Sequence, residues 1–249
     1  MMWIVALALV ALSGPALLQI ASRASGATFV QQRIRYLSAA LTLAVAVWLV
    51  ALVTAGTPDG ISLVGDLSAE TSGLGWFGVG DGETWGRLLI TLGGMITLIT
   101  AAVVWMQLAR PAGLRLRALP RALPLALVFA VINATAEELI FRVALITSLD
   151  PMVGDGHIGA AAVALISAAL FGLPHFAGSP GGPVGVLMSG FLGWLACTSV
   201  FQTGGIVWAW SLHVALDVVI FTIMIALSRT VVPTLVRESD GQPDSSAVS

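Results

Sequence analysis

Residues 120–148 read PRALPLALVFAVINATAEELIFRVALITS, and this stretch decides the fold. A bilayer core of about 30 Å takes about 20 apolar residues to cross as a helix, and this run is longer than that, yet it carries Glu137, Glu138 and Arg142 inside it. Six further stretches of similar length and character flank it, at 2–20, 36–55, 86–108, 158–176, 184–203 and 206–228. Backbone polar groups in lipid must be satisfied within their own segment, and the alternating pattern of a barrel is absent, so the chain reads as an all-α polytopic bundle of about seven transmembrane helices. With 57% apolar and 10% charged residues among 249, a soluble enzyme is excluded. The 11 basic residues are all arginine and face 13 acidic ones, which leaves no basic surface for nucleic acid. The single cysteine, Cys197, cannot form an internal disulfide or a cysteine-type zinc site and reads as a packing residue.

The chain opens Met1-Met2-Trp3 without a positively charged region, so the first stretch reads as an uncleaved span, bent at Ser13-Gly14-Pro15. Arginines set the orientation. Arg23, Arg33 and Arg35 fall between spans one and two, Arg110, Arg115, Arg117 and Arg121 between three and four, and Arg229 and Arg237 after span seven. The opposite loops hold Asp59, Asp66, Glu70, Asp81 and Glu83, then Asp150 and Asp155. The expectation is a plasma-membrane protein with its N-terminus outside and its C-terminus cytoplasmic. Residues 1–119 would form the N-terminal helices with an extracytoplasmic loop at 56–85, 120–228 the core, and 229–249 a disordered cytoplasmic tail. Loop 56–85 carries Trp76, Phe77 and Trp85 and is expected to lie at the membrane interface, anchored by those rings, while His157 is expected to be solvated in an outer loop. No internal repeat is visible.

Glu137, Glu138, Arg142, His175, His213 and Asp217 are the ionisable residues left inside the spans. Four uncompensated formal charges at the membrane centre would cost on the order of 10 kcal/mol, so they must pair, face water or work. Glu138 and Arg142 stand at i, i+4 and predict an ion pair on one helix face. Glu137 is turned about 100° away and has no evident local partner, which makes it the candidate general base facing a cavity. Pro174 bends the end of span five and aims His175 into the bundle. His213 and Asp217, again at i, i+4, share a face of span seven. Rise arithmetic puts Glu137 about 17 Å, His213 about 12 Å and His175 about 26 Å from the outer ends of their spans, so a common site requires tilted helices or an early start to span five.

Glu-Glu-x-x-x-Arg at 137–142, Phe-x-x-x-His at 171–175 and His-x-x-x-Asp at 213–217, in this order on apolar spans, resemble the three motifs of the CPBP family. That family comprises type II CAAX prenyl proteases and bacteriocin-processing or bacteriocin-immunity membrane proteins, also called the Abi family. The resemblance covers roughly residues 120–220 and implies an intramembrane endopeptidase in which Glu137 activates a water with help from His175, while His213 and Asp217 stabilise the oxyanion. An ionised Asp217 would repel an oxyanion, so it must be protonated, orient His213 or bind a metal. His175, His213 and Asp217 would make a His₂-carboxylate zinc site, although no HExxH sequence is present. The expected partners are a peptide or protein substrate in or at the membrane, and the lipid bilayer itself. Two other functions fit the same inventory: a proton-coupled transporter, and a catalytically idle scaffold or immunity protein.

Overall fold

The structure is a computed structural model that describes residues 28–55, 61–74, 82–153 and 157–239. The expected first span, Trp76 and Phe77 lie outside them. The helices are α1 (Phe29–Ala55), α2 (Trp85–Leu88), α3 (Gly94–Val104), α4 (Leu119–Glu138), α5 (Leu145–Val153), α6 (His157–Gly172), α7 (Gly182–Thr203) and α8 (Val207–Ser239). Wide π-helical turns at Leu89–Gly93, Trp105–Ala109 and Leu139–Ala144, with tight 3₁₀ turns at Leu116–Ala118 and Leu173–Ala177, join several of them into longer runs. Among the described residues six runs are long and apolar enough to cross a membrane: Phe29–Val50, Trp85–Ala109, Leu116–Leu149, Gly159–Ala177, Gly182–Thr203 and Val207–Thr230. The chain is therefore an integral membrane protein of the all-helical class. The last helix continues to Ser239, well past the expected end of the span at 228.

Helices α4 and α8 pack along their length and form the spine of the bundle, with α1 against α4. The indole N–H of Trp210 on α8 donates to the Thr135 hydroxyl on α4 at 3.0 Å, one of the polar ties that fix their relative rotation. Helices α6 and α7 form the second close pair. Without a hydrophobic force between helices in lipid, such pairs need backbones that approach closely, and small residues allow it. Gly172 supplies this contact, because a Cβ there would stand 2.8 Å from the Val186 carbonyl oxygen and 2.9 Å from the Gly190 Cα. Gly172→Val is expected to wedge α6 from α7 and lower the melting temperature in detergent; an unchanged melting temperature contradicts this close packing.

The segment 61–74 is docked on the bundle. Ser62 N–H donates to the Gly204 oxygen at 2.7 Å, and Asp66 N–H to the Thr203 oxygen at 2.7 Å, which ties it to the turn between α7 and α8. Gly65 has a φ of 71°, and a Cβ there would lie 2.6 Å from Gly205 N, so only glycine suits the crossing. Asp66 caps its own turn, accepting from Ser68 N–H at 2.8 Å and Ser68 Oγ–H at 2.6 Å; these bonds hold its carboxyl below the usual pKa.

Two expectations require correction here. Trp85 is not an exposed interfacial anchor: it opens α2, is 3% exposed, and its indole N–H donates to Gln202 Oε1 at 3.2 Å. His157 does not lie in a loop but is the first residue of α6.

Candidate active site

The lower half of α4 places polar side chains one turn apart on a buried face, at Asn133 and Glu137, with Glu138 on the adjoining face. The chain then widens into the π-helical turn Leu139–Ala144, which carries Arg142. Such turns insert a residue into the helical ladder and recur at functional sites. Arg142 Nε stands 3.0 Å from Glu138 Oε2, and both side chains are fully buried. This ion pair is one of proximity, since among the described residues no directed hydrogen bond engages the guanidinium nitrogens. Arg142 instead lies over the Phe171 ring, with Cζ 4.5 Å from its centroid, a cation–π contact that partly offsets the burial of its charge.

Glu138 serves a second residue with its other oxygen. His213 Nδ1 on α8 is 2.8 Å from Glu138 Oε1. A carboxylate paired with an arginine accepts rather than donates, so Nδ1 carries the proton and the chain Arg142, Glu138, His213 fixes the ring. His213 Nε2 is thereby directed at Glu137 Oε2, 3.5 Å away, and at Asp217 Oδ2, 3.7 Å away. Both distances exceed a good hydrogen bond.

Glu137 is not without a local partner, as the sequence reading had it. The Asn133 amide, one turn earlier, donates to Glu137 Oε1 at 3.1 Å and to Asp217 Oδ2 at 3.0 Å. One amide thus holds two carboxylates apart and in register. Glu137 Oε2 is buried and, among the described residues, makes no hydrogen bond of good geometry, while the Tyr36 hydroxyl faces the same carboxyl group.

His175 follows Pro174 in the 3₁₀ turn that ends α6. Its Nδ1 lies 2.8 Å from the Phe171 carbonyl. A carbonyl only accepts, so Nδ1 carries the proton and Nε2 of the neutral ring is an acceptor. Phe171 organises this corner: its ring stands 5.0 Å from the His175 ring, 5.5 Å from His213 and 5.2 Å from Phe141. Phe171→Ala removes the surface against which both imidazoles and Arg142 rest, at an expected cost of about 3–5 kcal/mol. A detergent melting curve within a degree of the wild type would contradict that role.

Glu137, His175, His213 and Asp217 line one cavity of about 300 Å³. The depth difference between His175 and His213 expected from rise arithmetic does not separate them, because both rings meet Phe171. Glu138 and Arg142 sit behind this wall and support it. Asn133, Arg33 and Tyr36 line the same cavity and were not anticipated. Arg33 was assigned to a loop, whereas it lies in the second turn of α1.

Zinc draws no support from this geometry. Among the described residues no group of three or more His, Cys, Asp and Glu side chains is arranged to hold a metal ion. Cys197 is free and buried, in keeping with a packing role.

Comparison with known families places this site in context. Residues 119–219 match the family model described as Type II CAAX prenyl endopeptidase Rce1-like, which is consistent with the CPBP family to which the three motifs pointed. The matched segment contains every candidate site residue read from the sequence. No curated protein and no solved structure matches the chain.

Proposed function

We propose that this protein is an intramembrane endopeptidase of the CAAX type, hydrolysing a peptide bond of a membrane-delivered substrate with a glutamate-activated water. The observation that carries this reading is Glu137 Oε2, a buried carboxylate oxygen without a well-formed hydrogen bond among the described residues, set in a cavity beside two histidines. The family match over residues 119–219 supports it at the level of class.

In this mechanism Glu137 Oε2 takes a proton from water, and the neutral Nε2 of His175 accepts a hydrogen bond from the same water and aims its lone pair. The water oxygen bonds to the scissile carbonyl carbon. His213, doubly protonated, donates Nε2–H to the developing oxyanion while Glu138 holds its other nitrogen. Asp217, bonded to Asn133, orients His213 and keeps Glu137 at a fixed separation. As the carbon–nitrogen bond breaks, Glu137 returns its proton to the leaving amine. The low dielectric of a membrane cavity strengthens each of these interactions relative to water. The arginine-bearing ends of the bundle are assigned to the cytoplasmic side of the plasma membrane, with the N-terminus outside.

Comparative proteomics of membranes from cells carrying the wild type or Glu137→Gln tests this function. New protein termini that appear only with the wild type are expected. Identical terminal profiles, with or without substrate movement in a liposome flux assay, would contradict proteolysis and favour the scaffold or transporter reading.

A further inference from the structure

Away from the cavity, five arginines gather at one end of the bundle without carboxylates to meet them. Arg110, Arg115, Arg117 and Arg121 follow closely in the chain, and no acidic residue lies between Arg87 and Glu137. Arg229 joins them from the end of the last spanning run, where its Nη1–H donates to the Arg121 carbonyl oxygen at 2.8 Å. All five are exposed. Among the described residues the arginines paired with carboxylates are two others, Arg87 on Glu83 and Arg142 on Glu138.

The ledge that carries four of them is pinned to the bundle. Gly113 turns the chain with a φ of 65°, and the N–H groups of Gly113 and Leu114 donate back to the Arg110 and Ala109 oxygens at 3.1 and 2.9 Å. Leu114 is 7% exposed and packs in the core with Ala109, Ala122 and Ala126. The spanning runs fix its depth. One run ends at Ala109, just before Arg110, and the next begins at Leu116, which puts Arg117 and Arg121 in its first two turns; the last ends at Thr230, just after Arg229. Guanidiniums at the ends of spanning helices reach the phosphate layer, while bare apolar side chains beside them meet acyl chains. Leu116 and Leu123 stand beside these arginines in sequence and are 68% and 47% exposed. Unpaired cations alternating with lipid-facing leucines suit a lipid rather than an acidic protein approaching from water.

We infer that Arg121 and Arg229 form a seat for the phosphate of an anionic phospholipid, bridging α4 and α8 at one end of the spine. The bond from Arg229 to the Arg121 carbonyl uses one donor of that guanidinium and leaves the others, with those of Arg121, for phosphate oxygens, which a planar fork meets two at a time. Arg117, four residues before Arg121, adds charge that favours a net anionic headgroup over a zwitterionic one. Helix α4 carries Glu137 and α8 carries His213, so a headgroup held here clamps the two helices on which the site is built. The seat stands or falls apart from the proteolytic reading, because its occupancy is measured without turnover.

The test measures binding of two tail-labelled fluorescent lipids, phosphatidylglycerol and phosphatidylcholine, to the full-length protein in neutral maltoside micelles. Phosphatidylglycerol is expected to bind the wild type about ten- to thirtyfold more tightly. Arg121→Gln/Arg229→Gln should bring that ratio to about one while phosphatidylcholine affinity is unchanged, which also shows that the variant is folded. Arg110→Gln/Arg115→Gln removes the same charge from the same end and should change the ratio by less than about twofold, since diffuse attraction is not what the seat supplies. Arg121→Lys/Arg229→Lys keeps the charge and loses the fork; it should lower the ratio about threefold or more, and it decides the matter if the first variant does not fold. Inorganic phosphate in millimolar excess should leave the bound lipid in place. Equal binding of the two lipids, a ratio that survives the glutamine or lysine pair at 121 and 229, equal losses in both glutamine pairs, or displacement by inorganic phosphate overturns the seat.

Discussion

Glu137→Gln is expected to lower the cleavage rate of the reconstituted protein by about 10²–10⁴-fold, the usual contribution of a positioned general base. The glutamine is isosteric and can still accept from Asn133 through its carbonyl oxygen, so the contact at 3.1 Å survives and the fold with it. What is lost is the oxygen that makes no well-formed hydrogen bond among the described residues of the wild type, replaced by an amide group that cannot take a proton. Melting temperature and membrane insertion should match the wild type, and the loss should appear in kcat rather than KM. A variant with wild-type kcat would remove Glu137 from the chemistry.

The second large effect concerns folding. Arg142→Ala leaves Glu138, which has no exposed side-chain surface, with His213 as its remaining partner and one oxygen stranded, which is expected to cost about 3–5 kcal/mol and to reduce the yield of folded protein sharply. The double variant Glu138→Gln/Arg142→Ala removes the Glu138 charge and should recover part of the yield, since a buried ion pair replaced as a unit costs less than one broken by half. Activity should stay low in the double variant, because the chain that fixes His213 through Glu138 at 2.8 Å is weakened. Wild-type yield for Arg142→Ala alone would mean that the pair does not hold the bundle together.

The spans were legible because a helix that crosses lipid must be both long and apolar, a constraint strong enough to show in composition alone. The Glu138–Arg142 pair was legible for a similar reason: at i, i+4 two opposite charges in an apolar helix have little else to meet. Asn133 bears no charge, so the cost of burying an ion does not mark it, although a lone amide one turn before Glu137 in an apolar span carries a similar signal. Arg33 looks like a loop residue because the two glutamines and two arginines of the first two turns of α1 lower local hydropathy at the start of the helix. The burial of Trp85 depends on Gln202, 117 residues further on, and no local pattern encodes a contact at that separation. The π-helical turn after Glu138 was likewise invisible, because it follows from how α4 packs on its neighbours and not from a residue type.

The central claim is that Glu137 and His175, brought from two helices to one cavity, act on a single water. The most direct measurement of it is a double-mutant cycle on kcat/KM in proteoliposomes, with Glu137→Gln, His175→Gln and the two combined. Groups that serve one water fail together, so the double variant should be no slower than Glu137→Gln alone. Losses that multiply, or a wild type that cuts nothing, would contradict the account.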